Sequence, residues 1–267
     1  MAEKIIETAY AKINLGLRIL GKRPDGYHEV SMIMQSVGLS DEIIITEGEG
    51  IQLSTNIEGL SCGEDNIAYK AAALLAKEYN ITPNVHIILN KRIFMAAGLA
   101  GGSSDAAAVL RGLNRYWNLN LHGDKLEALA AKLGSDVPFC VHGGSAIAKG
   151  RGEIILPLPD MPENYVVLAK PKNLDVSTAW VYKNYNPQRV VNNPCIWQIA
   201  ECITSGAKAM TPFMGNVLET VTIPANPQIA SIKMAMLKAG AYFSMMSGQA
   251  GLKTVSLRGM GTSHTAI

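Results

Sequence analysis

The stretch Met95-Ala-Ala-Gly-Leu-Ala-Gly-Gly-Ser-Ser-Asp105 decides how this chain is read. It follows the apolar run Val85-His-Ile-Ile-Leu89 and a Lys91-Arg92 pair, and it leads into Ala- and Leu-rich sequence of helical period. A strand, a glycine-rich loop and a helix start therefore succeed one another. Glycines let backbone N–H groups approach a ligand's oxygen atoms with no Cβ in the way, and they permit positive φ. The first turn of a helix adds unpaired N–H donors and the positive end of its dipole. Ser103 and Ser104 add hydroxyls, as donors or as a ligand for Mg2+, and Ala96, Ala97 and Ala100 keep the cradle open. An ordinary strand-to-helix turn with a serine N-cap needs no such run of small residues, so polyphosphate binding is the expectation. The spacing matches neither G-x-x-x-x-G-K-[ST] nor G-x-G-x-x-G, and no G-x-S-x-G elbow occurs.

Outward from the loop, the spacing predicts a helix from Ser103 or Ser104 to about Tyr116, burying Ala107, Leu110, Leu113 and Trp117. A second helix is expected from about Asn66 to Glu78 with Asp65 as its N-cap. A third is expected from Asp124 to Leu133, opened by Asp124 and Glu127 as a capping box and closed by Gly134. Strands are expected at Ile43-Ile-Ile-Thr46, Ile51-Gln-Leu-Ser54, the 85–89 run and Tyr165-Val-Val-Leu-Ala169. A last helix runs from about Pro227 to Ala239, closed by Gly240. Strands and helices mix without regular βαβ alternation, which makes the class α+β. The Pro-rich segment Leu156-Pro-Leu-Pro-Asp-Met-Pro162 divides two domains, residues 1–156 and 163–267.

The chain has 267 residues, of which 48% are hydrophobic and 17% charged, enough to bury a sizeable core. A net charge of +2 gives no reason to expect nucleic acid or an anionic membrane surface as a partner. Cys62, Cys140, Cys195 and Cys202 form no CxxC pair and no zinc spacing, and read as free thiols in a reducing compartment. The N-terminal residues show no signal-peptide pattern and no run is long and apolar enough to span a bilayer, so a cytoplasmic location is expected.

Two further constellations carry both a plain and a functional reading. In Ala11-Lys12-Ile13-Asn14-Leu15 a strand would put Lys12 and Asn14 on one face, ordinarily facing solvent. Pro24-Asp25-Gly26 reads as a turn that delivers Tyr27 and His28 together, either to read a nucleobase or merely as a capped loop. In Leu133-Gly-Ser-Asp136-Val-Pro138, Asp136 reads as a turn or N-cap aspartate, or as a carboxylate poised at a substrate hydroxyl near a cation.

Taken together these segments resemble the GHMP kinase superfamily, in order and in register from about residue 9 to residue 248. The glycine-rich loop marks the whole superfamily. The segment Asp25-Gly-Tyr-His28 marks one branch, whose alcohol substrate is a cytidine diphosphate methylerythritol. The resemblance implies a ribosomal protein S5 domain 2-like first domain, a ferredoxin-like second domain, a cleft active site, and phosphorylation of the substrate's 2-hydroxyl by ATP with Mg2+. By position, Asp136 resembles the general base and Lys12 the cation beside it. Phe94, Met95, Ala96, Ala97, Gly98, Leu99, Ala100, Gly101, Gly102, Ser103 and Ser104 resemble the triphosphate cradle, with Asn66 on the nucleotide side. Tyr27 and His28 resemble the residues that stack on and hydrogen-bond to cytosine, with Asn14, Thr178 and Tyr182 nearby. Another GHMP kinase acting on a different alcohol, and a nucleotide-binding relic with impaired catalysis, remain alternatives.

Two features depart from the superfamily's pattern. Phe94 stands where proline is usual. The third motif, of the form M-S-G-S-G-P-T-V-F, is matched by Met246-Ser247-Gly248 and then lost from Gln249 onward. Residues 256–267 show no strand or helix pattern. The second domain is therefore expected to be incomplete after residue 248, through truncation or a shifted reading frame, with reduced stability and low activity.

Overall fold

Ile43 and Ile45 are fully buried while Ile44 between them is only half-buried, the period-two pattern of a strand with one face in a core. In the computed structural model this run belongs to a long strand, β2 (His28–Glu47), preceded by a similarly long β1 (Ile5–Lys22). The structure describes residues 4–171, 174, 176–248 and 253–258, the last six as backbone only. Two compact units are present: Met1–Lys12, Gln35–Met95 and Leu99–Leu156 form the first, and Ile13–Met34, Ala96–Gly98 and Pro157–Ile267 the second. One division falls at the Pro-rich segment. Composition gives no sign that residues 13–34 join the second unit, because β1 and β2 pass from one unit to the other without interruption.

The first unit adds β3 (Gly50–Thr55), α1 (Ile67–Glu78), β4 (Asn84–Asn90), α2 (Gly101–Tyr116), α3 (Gly123–Ala130), α4 (Val137–His142), β5 (Ser145–Gly150) and β6 (Ile154–Leu158). β4 pairs antiparallel with β2, Ile45 opposite Ile87, and parallel with β3. Val85, Ile87 and Leu89 point one way with Ile43 and Ile45, into a core closed by α1 and α2. Both helices bring small side chains into that core, Ala68, Ala71 and Ala72 from one and Ala106, Ala107 and Ala108 from the other. Ala107, Leu110 and Leu113 are buried as the spacing predicts, and Trp117, at the C-cap, packs on the same core.

The second unit contains β7 (Tyr165–Ala169), α5 (Thr178–Lys183), α6 (Ile196–Glu201), α7 (Ala207–Met210), β8 (Gly215–Asn216), α8 (Glu219–Ala225), α9 (Gln228–Lys238), β9 (Phe243–Ser247) and β10 (Lys253–Arg258). β8 lies parallel to β1, Gly215 beside Gly16. β7, β10 and β9 form an antiparallel sheet with β10 in the middle, Val255 between Leu168 and Met245. The expectation that no strand pattern follows residue 255 is thus corrected. Lys-Thr-Val-Ser-Leu-Arg alternates polar and apolar residues, but the run is short and β7, one of its partners, is remote in sequence. Residues 249–252 and 259–267, where the rest of the lost third motif falls, lie outside the described residues.

Helix starts differ from expectation by a residue or more. Asn66, not Asp65, caps α1, its Oδ1 accepting the Ala68 N–H at 2.9 Å, while Asp65 accepts the Ser61 hydroxyl. α2 begins at Gly101 behind a left-handed Ala100 rather than at a serine. α3 starts at Gly123; Asp124 makes no cap hydrogen bond, and Glu127 instead meets His142 Nδ1 at 3.2 Å. In each case a nearby tertiary or loop partner outbids the local capping pattern.

Candidate active site

Lys12 and Asn14 are buried, 2% and 0% exposed, so neither takes the solvent-facing place usual for such residues on a strand. A buried ammonium needs a partner. Lys12 Nζ lies 3.4 Å from Asp136 Oδ2, and the Asp136 side chain keeps 26% of its surface open to solvent. Asp136 occupies the N-cap position of α4 yet makes no capping hydrogen bond there. The capping role expected from its sequence context is left unused, and its carboxylate faces the lysine.

The same unit ties this pair to the start of α2. The Lys12 backbone N–H donates to the Leu99 carbonyl at 3.1 Å, and Ser104 Oγ donates to the Tyr10 carbonyl at 2.6 Å. Ser104 is consequently buried, its hydroxyl committed to β1, which leaves Ser103 as the less buried hydroxyl of the pair. The first intrahelical bond of α2 runs from the Ser104 N–H to the Ala100 carbonyl at 2.8 Å. The N–H groups of Gly101, Gly102 and Ser103 precede it and have no helical acceptor. Ala96, Gly98 and Ala100 all have positive φ, at 50°, 67° and 56°. For alanine this conformation costs about 1–2 kcal/mol, a strain characteristic of ligand-binding turns. Phe94 and Met95 are exposed at the loop's entry. Asn66 uses both ends of its amide locally, accepting from Ala68 and donating through Nδ2 to the Ser61 carbonyl at 2.7 Å.

Sequence reasoning missed what lies behind the loop. Lys91 reaches both Asp41 Oδ2 and Asp105 Oδ2 at 2.5 Å, and all three are buried. Asp41 also accepts the N–H groups of Arg92 and Ile93, the latter at 2.7 Å, and so fixes the chain entering the loop. Two carboxylates share one ammonium. Burial pushes the Asp105 carboxyl up to about 7 despite Lys91, Asp41 adding to the rise, and Asp105 Oδ1 has no hydrogen-bond partner. Lys91 and Asp105, opposite charges on either side of the glycine-rich loop, were the available signal.

In the second unit, Arg23 and Asp25 pre-form the turn before Tyr27. The Arg23 N–H donates to the Tyr27 carbonyl at 2.8 Å, and Asp25 Oδ1 accepts the Tyr27 N–H at 3.1 Å. Tyr27 is exposed, and the His28 ring stacks on Tyr182 with centroids 5.0 Å apart and planes 21° from parallel. Tyr185, not anticipated, meets His28 edge-on at 6.5 Å. Burial and the nearby Lys22 lower the His28 pKa, which favours the neutral ring. Thr178 and Tyr182, four residues apart, share one face of α5. Asn14 donates its backbone N–H to Ser247 Oγ at 3.0 Å.

Among the described residues no three His, Cys, Asp or Glu side chains converge to hold a metal ion, and no helix is long and apolar enough to cross a membrane.

The strained small-residue loop thus opens a helix and is tied to a lysine–aspartate pair whose lysine is buried. Residues 66–144 match the GHMP kinases N terminal domain. Solved structures of that fold align along nearly the whole chain: mevalonate kinase from L. major superposes with a TM-score of 0.73 over 98% of this chain and 89% of its own, at 16% identity. These likenesses give the chain the GHMP-kinase fold. The 4-diphosphocytidyl-2-C-methyl-D-erythritol kinase of Bacillus pumilus is 47% identical over 92% of this chain and 85% of its own length, and that of Bacillus subtilis 46% over the same shares. A crystal structure of 4-(cytidine 5'-diphospho)-2C-methyl-D-erythritol kinase superposes with a TM-score of 0.80 at 32% identity, covering 95% of this chain and 90% of that one. The chain belongs to the 4-diphosphocytidyl-2-C-methyl-D-erythritol kinase family.

Proposed function

We propose that this protein transfers the γ-phosphoryl group of ATP to the 2-hydroxyl of 4-diphosphocytidyl-2-C-methyl-D-erythritol, a step of non-mevalonate isoprenoid synthesis. The observation that carries the chemistry is the Lys12–Asp136 pair, 3.4 Å apart and bonded through its own strand to the start of α2. Asp136 takes the proton from the attacking hydroxyl. Lys12 stabilises the alkoxide as it forms and the charge on the phosphoryl group in flight. The N–H groups of Gly101, Gly102 and Ser103 hold phosphate oxygens, and residues 94–100 wrap the remainder. Phosphoryl transfer asks the protein mainly for positioning and charge stabilisation, so these groups suffice on the protein's side. Mg2+ would accompany the nucleotide; among the described residues no three His, Cys, Asp or Glu side chains converge to cage it.

Tyr27 and Tyr182 take the cytosine ring between them, with His28 supplying hydrogen bonds and Asn14 and Thr178 nearby. The His28–Tyr182 stack supports this reading, because it shows an aromatic face already paired with a flat ring. Four free cysteines support a reducing, cytoplasmic setting. The test is a coupled ADP-release assay with the cytidyl substrate on wild type and on Asp136→Asn. A general base contributes about 10²–10⁴-fold, so kcat should fall by that factor with the fold retained. Asp136→Asn turning over within threefold of wild type would overturn the assignment.

A further inference from the structure

The third glycine motif, lost from sequence register after Gly248, is held from the other side. Met246 donates its N–H to Glu219 Oε1 at 2.6 Å. Asn216 Nδ2 donates to both the Met246 and the Gly248 carbonyls, each at 3.0 Å. These two side chains bond backbone groups of Met246 and Gly248, as a neighbouring strand would. Asn216 is itself fixed: Leu17 and Asn216 pair across β1 and β8, its Oδ1 accepts the Leu218 N–H at 3.0 Å, and it is 6% exposed. Glu219 is braced by Lys233 at 2.5 Å.

What this clamp holds is the stretch that touches two parts of the site. Ser247 Oγ accepts the Asn14 N–H. Gly248, at φ +85°, sits so close to the phosphate loop that a Cβ on it would lie 2.9 Å from the Gly98 carbonyl oxygen and 3.0 Å from Gly98 Cα. Those are backbone atoms of a loop already wound into positive φ, so they have little freedom to give way.

We propose that Asn216 is a positioning residue for phosphoryl transfer: its amide holds the 246–248 backbone so that Gly248 supports the phosphate loop at Gly98 while Ser247 seats Asn14. The inference rests on the kinase reading above. Every side-chain contact of the clamp comes from residues before Gly248, while β10 pairs with β9 as well. A buried asparagine that only satisfied two carbonyls would affect stability and nothing else, and the test separates the two roles.

Asn216→Ala leaves both carbonyls without their donor; Gly248→Ala drives the same contact apart without touching the clamp. Ile229→Val, in the buried face of α9, serves as a control that lowers stability elsewhere in this unit. KM for ATP, KM for the cytidyl substrate and kcat are measured well below each melting temperature, together with the affinity for ADP by calorimetry. Both alanine variants should raise KM for ATP and weaken ADP roughly tenfold or more. Asn216→Ala should also raise KM for the cytidyl substrate, and Ile229→Val should leave all three constants unchanged. Lowered melting with wild-type ADP affinity in Asn216→Ala would overturn the proposal, as would loss of a cooperative melt in both alanine variants. If wild type shows no turnover of the cytidyl substrate, the substrate reading fails. ADP affinity in the Asn216→Ala variant then decides the clamp independently, retained affinity sinking it and weakened affinity supporting it.

Discussion

Substituting Lys12 by methionine removes a buried charge while nearly keeping the side chain's bulk, and it separates catalysis from stability. At 3.4 Å from Asp136, an effective dielectric of about 20 gives an attraction of about 5 kcal/mol between the charges. A charge developing about 6 Å from Lys12 Nζ would interact with it by about 3 kcal/mol at the same dielectric, or roughly a hundredfold in rate. Removing one preorganised donor from such a site typically costs about 10²–10³-fold, so kcat of Lys12→Met should fall within that range. Stability should not fall with it. An apolar side chain of similar volume replaces a buried cation at little net cost, and the Asp136 side chain, 26% exposed, can be hydrated once unpaired. The assay is ADP release at saturating ATP and cytidyl substrate, paired with thermal melts followed by circular dichroism. Because the two residues act on one proton and one developing charge, Lys12→Met/Asp136→Asn should be no more than about tenfold slower than the slower single variant. The reasoning is refuted if Lys12→Met keeps more than a tenth of wild-type kcat with an unchanged melt. Fully multiplicative losses in the double variant would also contradict it.

Asp105→Asn tests the buried charge cluster behind the loop. The folded carboxyl titrates near 7 against 3.8 for a free aspartate, so the folded chain holds the extra proton and stability falls as pH rises from about 4 to above 7. The decline amounts to about 4 kcal/mol at most. Melting temperatures measured between pH 5 and 8 should drop less steeply for the variant than for wild type; parallel curves would argue against a raised carboxyl. Tyr182→Ala removes a stacking surface worth about 1–3 kcal/mol per base, so steady-state kinetics should show KM for the cytidyl substrate raised about 5- to 150-fold and KM for ATP unaltered. Burial, with the Asp136 carboxylate adding to it, pushes the Cys140 thiol up to about 12. In native alkylation at pH 8 read by peptide mass spectrometry, Cys140 should therefore react after Cys62, Cys195 and Cys202.

Long periodic elements were legible in the sequence. The 43–46, 51–54, 85–89 and 165–169 runs lie within β2, β3, β4 and β7, and α9 ends at the expected Gly240 turn. Helix starts were not, because capping side chains have several acceptors and donors within reach. Ser104, a plausible N-cap by pattern, bonds Tyr10 across the unit, and Glu127 turns to His142. β10 was missed because a strand at the middle of a sheet is stabilised by partners that no local window contains.

The glycine-rich loop was readable by itself as a strand-to-helix turn with open backbone N–H groups, since backbone access and a helix start depend only on which residues follow one another. The order of motifs then pointed to the kinase family. Tertiary structure alone decided which polar residues were withdrawn from water and toward what. It buried Lys12 against Asp136, hid the Ser104 hydroxyl, and set Lys91 between Asp41 and Asp105. It also seated Gly248 on Gly98 through Asn216. Desolvation and pairing of charges are properties of three-dimensional neighbours, and those neighbours stand as far apart in the chain as Lys12 and Asp136.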